Sequence, residues 1–261
     1  MSTFARVRAL QRGLEILQAL NAHNGLKANV VARITGMPRP TAYRLLETLE
    51  ELGFVTRSPS DDTWRPTLQT KSLSSGFRDE DWVAQTAVPH MMKLGRRVLW
   101  PIDLATFHDY RMVVRESTHN ISPFSIDIGV VGRDMPVTLT SGGRAWLAFC
   151  PDAEREQILA GLAVRGETGG GMMEDRASLD YVIERCRSLG VGYRSGGFND
   201  HTMSLSAPVM QGDRVIASLT LIWIASAMGF EEALTRYRAA LIETASVIAS
   251  ERSAAAENSA S

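Results

Sequence analysis

Apolar residues recur at helical spacing in three short runs near the start of the chain, then give way to brief alternating segments. Residues 9–21 place Leu10, Leu14, Leu17 and Ala19-Leu20 on the buried face of a first helix. Residues 27–35 gather Val30, Val31 and Ile34 and stop at Thr35-Gly36, since glycine commonly follows a helix end. A third helix over 38–52 turns Leu45, Leu46, Leu49 and Leu52 inward, so its opposite face shows Arg39, Thr41 and Arg44, with Tyr43 at the margin. The pattern closes on Phe54-Val55-Thr56 and breaks at SPSDDTW, whose serine, proline and aspartates suit a turn between two short strands. Trp64 reads as the core residue that holds this hairpin to the helices. Helix, helix, tight turn, helix, hairpin is the order of a winged helix-turn-helix, which lays its third helix in a DNA major groove.

Residues 68–77 and 80–99 are again helical in pattern, with a break at Gly76 and the charged run before Trp82. Past Pro101 the period changes from helical to alternating. Residues 103–108 and 111–117 form a hairpin across Asp109-Tyr110, a further strand is expected at 125–128, and the pattern resumes at 192–195, 203–210 and 214–223. Helices are expected at 141–150, 152–162, 176–189 and 230–248. The reading is an antiparallel sheet with helices on one side and room for a small molecule between them. The fold class is α+β, with a winged helix-turn-helix over 1–67, a linker helix over 68–80, a curved-sheet effector-binding domain with helices over 81–251, and a disordered tail over 252–261.

Charge sharpens this division. The net charge of −1 is an average over unlike parts. Residues 1–60 carry Arg6, Arg8, Arg12, Lys27, Arg33, Arg39, Arg44 and Arg57 against Glu15, Glu47, Glu50 and Glu51, a net of +4. A basic head on an acidic body suits phosphate binding by the head alone and disfavours a DNA-packaging protein. Arg39 and Arg44 are long donors in the first two turns of the third helix, and Thr41 and Tyr43 lie beside them. Arg57 and Arg65 flank the hairpin turn and are candidates for phosphate or the minor groove.

In the body, the segment from Pro136 through Thr140, Ser141, Gly142 and Gly143 to Arg144 enters a helix through small residues. First-turn amides lack intrahelical acceptors and can receive a carboxylate, while glycine lets a ligand approach the backbone. The alternative is that the glycine pair only lets the helix pack tightly on the sheet. Trp100, Met135, Trp146, Met203 and Trp223 could wall an aromatic-sized space or be plain core. The glycines of GETGGGMM lack the Lys-Ser/Thr pair of a phosphate loop, no Gly-x-Ser-x-Gly elbow is present, and His90, His108, His119 and His201 have no metal-ligand spacing. Neither an enzyme, a metal site nor a cofactor is therefore expected. Cys150 and Cys186 read as buried free thiols, and no run is long enough for a membrane span or a secretion signal, which fits a cytoplasmic protein.

The stretches RALQRGLEILQAL, MPRPTAYRLLETLEELGFV, MPVTLTSGGRAWLAFC and LSAPVMQGDRVIASLTL resemble the IclR family of bacterial transcriptional regulators, over about residues 8–248. That resemblance implies operator binding through the head, a homodimer or tetramer, and a small organic acid as effector. It also places Met203 and Ser204 on a strand that contributes to the family's pocket. Relatives commonly carry an acidic aspartate or glutamate stretch where this chain reads Arg194-Ser195-Gly196-Gly197-Phe198-Asn199-Asp200, so a ligand set copied from glyoxylate or pyruvate sensors does not transfer. RSPSDD, LSSGFRDEDW, VLWPIDLAT, MVVREST and LIWIASAM further resemble family members that activate hydroxyphenylpropionate catabolism. This implies an activator that works with RNA polymerase and binds a small aromatic carboxylic acid; a repressor answering another acid is the alternative.

Overall fold

Three apolar stripes build the head. In the computed structural model, which describes residues 7–23, 25–74, 82–128, 130–167 and 175–259, α1 (Arg8–Asn21), α2 (Ala28–Ile34) and α3 (Arg39–Glu51) enclose Ile16, Leu20, Val31, Met37 and Leu46. The buried stripe of α1 is Ile16, Ala19 and Leu20, while Leu10 and Leu14 are 63% and 50% exposed. Of the expected stripe, Ala19 and Leu20 are buried and Leu17 packs against the core, whereas Leu10 and Leu14, in the first half of the helix, lie outside it. Gly36, at φ +64°, makes the turn between α2 and α3, a backbone region that glycine enters without a Cβ penalty. The wing is β1 (Val55–Arg57) paired antiparallel with β2 (Trp64–Pro66), Val55 opposite Pro66. Trp64 is 1% exposed and its backbone bridges to Leu26, so it anchors the wing to the helices. A short α4 (Leu68–Ser72) follows, its first turn capped by the Thr67 hydroxyl accepting from the Gln69 amide. The part of the expected linker helix over 75–80 lies outside the described residues.

The chain divides into two compact units, Met1–Arg78 making most of the first and Asp79–Ile126 with Val130–Ser261 the second. In the second, β3 (Ile102–His108), β4 (Arg111–Ser117), β5 (Asp134–Pro136), β6 (Gly192–Arg194), β7 (Thr202–Gln211) and β8 (Arg214–Ile224) form one antiparallel sheet in the order β5-β4-β3-β8-β7-β6. The expected strand at 125–128 is irregular chain, and the place beside β4 is taken by Asp134–Pro136. A three-residue edge strand offers too little alternation to be read from sequence.

Helices cover both faces of the sheet rather than one. A π-helical turn at Val83–Ala87 leads into α5 (Val88–Val98), which packs with α9 (Phe230–Ser259) on Ile102, Leu104, Leu205, Leu219 and Leu221. On the other face, α6 (Ser141–Phe149), α7 (Asp152–Arg165) and α8 (Arg176–Leu189) enclose Ala105, Met112, Leu147, Leu162 and Ile183. The cause is visible in the strands: Ser204, Ser206, Ser218 and Thr220 alternate with leucines yet are themselves buried. Polar alternation, usually the mark of a solvated face, here marks a covered one.

α9 runs to Ser259, through most of the segment expected to be disordered; 260–261 lie outside the described residues. The added turns are alanine-rich, Glu251 meets His90 at 2.8 Å, and the Arg252 guanidinium lies 5.1 Å from the Trp82 ring centroid. Cys150 and Cys186 are buried and free, and burial pushes each thiol up to about 11. No helix among the described residues is long and apolar enough to cross a membrane.

Candidate functional site

The first site is the outer face of α3 with the wing. Arg39 and Arg44 are exposed, Thr41 and Tyr43 half-buried, and the Arg39 guanidinium lies 6.0 Å from the Tyr43 ring centroid. The burial of Ala42 and Leu46 on the inner side of α3 fixes this orientation. Thr41 and Arg44 lie away from this buried side, whereas Tyr43 packs in part against the head core with Arg39 beside it, so the four candidates spread around α3 rather than sharing one face. No salt bridge engages Arg39 or Arg44 among the described residues. The wing arginines differ. Arg57 is paired with Asp62, Nη2 to Oδ1 2.5 Å, and Arg65 with Asp61, 2.9 Å. Hydrogen bonds from Thr63 and Ser58, with Arg65 nearby, hold the Asp61 carboxyl down at about 2, and the bond to Asp62 raises Arg57. Phosphate contact by either wing arginine thus competes with an aspartate of the wing's own turn.

The second site lies where α6 begins. Thr140 caps the helix, its hydroxyl accepting from the Gly143 amide at 3.2 Å and donating to the Pro136 carbonyl at 2.8 Å. Ser141 Oγ donates to Ser204 Oγ at 2.8 Å, Ser218 Oγ donates to the Gly142 carbonyl at 2.9 Å, and Ser206 and Thr220 share a hydroxyl bond of 2.9 Å. All of these residues are buried. Of the first-turn amides, Gly143 is satisfied by the cap, which leaves those of Ser141 and Gly142 without an acceptor among the described residues.

The glycine pair divides between the two sequence readings. A Cβ on Gly143 would lie 2.0 Å from the Val137 carbonyl oxygen, so this glycine is required for packing. A Cβ on Gly142 would lie 3.4 Å from Thr220 Oγ1 and 3.5 Å from Ser218 Cβ, in ordinary contact with the hydroxyl-lined face. Gly192 of β6 closes the other side, where a Cβ would meet the Ser141 carbonyl oxygen at 2.1 Å.

Thr140, Ser141, Gly142, Gly143 and Ser204 are together, but Met203 is not. Neighbours on a strand point to opposite faces, and Met203 packs with the core under α9, as do Trp100 and Trp223. Of the expected apolar wall, Met135 and Trp146 lie on the α6 side, where Trp146 stacks on Phe107 at 5.5 Å. Arg144 is buried and serves the scaffold: Nε donates to the Thr138 carbonyl at 2.9 Å and Nη1 to that of Tyr193 at 2.8 Å, while burial lowers its pKa. Arg194 closes the following loop through the Asn199 and Thr202 carbonyls. The glycine run at 169–171 lies outside the described residues.

Sequence reading missed Ser206, Ser218 and Thr220, and also the carboxylate partners of two histidines: His90 meets Glu251, and His119 meets Asp103. The available signal was the spacing of hydroxyls two apart within the otherwise apolar β7 and β8.

Comparison with known proteins matches the two units separately. The model of the IclR helix-turn-helix domain covers residues 9–59, and that of the bacterial transcriptional regulator IclR C-terminal domain covers 79–250. The chain is 27% identical to the HTH-type transcriptional regulator TsaQ1/TsaQ2 of Comamonas testosteroni over 70% of this chain and 69% of that one. It is 24% identical to the DNA-binding transcriptional repressor YiaJ of Escherichia coli over 54% and 51%. In fold it is similar to the crystal structure of an IclR homolog from Microbacterium hydrocarbonoxydans complexed with 4-hydroxybenzoate, with a TM-score of 0.60, 21% identity, and coverage of 94% and 99%. With a winged helix-turn-helix and an effector-domain sheet each matching its own model, the chain belongs to the IclR family of DNA-binding, ligand-responsive bacterial transcriptional regulators.

Proposed function

We propose that this regulator reads operator DNA through Arg39, Thr41, Tyr43 and Arg44, with Arg57 and Arg65 on flanking phosphates, and that a small aromatic monocarboxylic acid held at the start of α6 modulates that binding. The observation that carries the effector reading is the pair of unaccepted amides at Ser141 and Gly142, buried against the hydroxyls of Ser204, Ser218 and Thr220. A buried carboxylate needs several donors to offset its desolvation, and helix-start amides with adjacent hydroxyls supply them. A structurally similar relative is complexed with an aromatic acid, 4-hydroxybenzoate. The acid acts by favouring one arrangement of paired heads over another, as its differential affinity requires.

Repression is the direction the named relatives support, YiaJ being a transcriptional repressor. Activation of hydroxyphenylpropionate genes, with RNA polymerase as a partner, rests on sequence resemblance alone. A homodimer or tetramer accompanies either reading, because two half-sites require two heads. Footprinting on DNA flanking the protein's own gene, with and without each acid, tests the whole scheme. Arg39→Ala or Arg44→Ala should each weaken operator binding by about 1–3 kcal/mol with acid binding unchanged. Gly142→Ala should weaken acid binding about tenfold or more while the footprint survives. Unchanged operator affinity in both arginine variants would remove α3 from the reading role. Acid affinity unaltered in Gly142→Ala would remove the acid from α6.

A further inference from the structure

Ser206, Thr220, Asp103 and Ser117 stand directly opposite one another on β7, β8, β3 and β4, and therefore share a sheet face. That face is the one under α6: Gly192, next in the row, packs against the Ser141 carbonyl, and Ala105, two residues from Asp103, belongs to the α6 core. Asp103 is 6% exposed, and its Oδ1 is buried without a hydrogen-bond partner. Its Oδ2 lies 3.7 Å from His119 Nε2, while His119 Nδ1 is engaged by Ser125 Oγ at 2.5 Å. A carboxylate oxygen buried without a donor is costly, and such a group calls for a ligand donor.

Resting on the acid-sensor reading above, we propose that Asp103 is a second anchor of the effector site, accepting a hydrogen bond from a hydroxyl at the far end of the acid from its carboxylate. Thr220, against which Gly142 packs, stands directly opposite Asp103 on the neighbouring strand, so Asp103 lies on the sheet face that α6 covers. The ligand class is then a hydroxylated aromatic acid: carboxylate at α6, ring across the sheet, phenolic hydroxyl on Asp103. Thr138, whose buried hydroxyl also lacks a partner, sits in the segment leading into α6.

Calorimetry on the full-length protein with two matched pairs, 3-(3-hydroxyphenyl)propionate against 3-phenylpropionate and 4-hydroxybenzoate against benzoate, tests this. The hydroxylated member of at least one pair should bind about ten- to a hundredfold more tightly. Asp103→Ala should erase that preference, leaving the deoxy acid bound as before. Asp103→Asn, of the same shape, should reduce it to a few-fold and covers the case in which the alanine variant fails to fold. Acids that bind without a hydroxyl preference, or a preference that survives both substitutions, would overturn the Asp103 subsite alone. If none of the four acids binds, the acid-sensor reading falls and takes the subsite with it.

Discussion

Side chains one residue apart carry unlike burdens in this protein, and the glycines at the start of α6 show why. Gly143 faces the Val137 backbone at a distance no methyl could occupy, whereas Gly142 faces side-chain hydroxyls with ordinary clearance. Gly143→Ala should therefore destabilise the protein by about 1–3 kcal/mol through overpacking, seen as a lowered melting temperature, where Gly142→Ala changes it little. The wing shows the same economy with charge. Asp61 and Asp62 hold Arg65 and Arg57, so Asp61→Asn with Asp62→Asn should free both guanidinium groups for phosphate. Binding of the double variant to DNA should then be tighter, and its logarithmic dependence on salt steeper by about one unit per arginine gained. An unchanged slope would mean that the wing arginines stay off the phosphates. Asp61 sits at about 2 against an ordinary 3.8, so its contribution to wing stability is present above the ordinary value and is lost as pH falls from there toward 2. Mild acid therefore leaves this restraint in place.

At the scale of elements, long periodic segments were legible and short or doubly covered ones were not. α3, α8, β4, β7 and β8 fall within a residue or two of their sequence reading, because each carries a sustained period of one kind. The three-residue β5 was missed, and a strand was expected at 125–128, since neither segment is long enough to display a period. The α1 stripe was right from Leu17 to Leu20 and wrong at Leu10 and Leu14, because leucine spacing cannot reveal which part of a helix reaches the core. On the candidate site, the helix entry from Thr140 to Gly143 was legible from its small residues. Ser218, Thr220 and Asp103 were not, because facing α6 across the sheet depends on strand pairing between distant segments. Met203 was drawn in by adjacency to Ser204, which in a strand means the opposite face. Ser218 ties β8 to α6 through the Gly142 carbonyl, so Ser218→Ala should cost about 1 kcal/mol, a fall in melting temperature of about 2–4 °C. No fall would show that bond to be dispensable to the packing of α6.

For the molecule as a whole, two units with separate cores assign reading and sensing to separate parts of the chain. A pair of copies would let one acid-dependent change act on two half-sites at once, so light scattering at operator-saturating concentration should give at least a dimer mass. The first turns of α6 have a further consequence, one of timing. Every residue from Ser141 to Ala148 is buried, so no molecule reaches the Ser141 and Gly142 amides by landing on an open surface. An acid bound there as proposed would have to wait for the helix and its cover to part, and its association rate would be set by how often that opening occurs. Stopped-flow mixing should accordingly show acid uptake slower than about 10⁵ M⁻¹s⁻¹, levelling off as acid concentration rises. In the proposed scheme departure would wait on the same opening and give the regulator a memory: once loaded, it would go on reporting the acid for a time after the surrounding supply had gone.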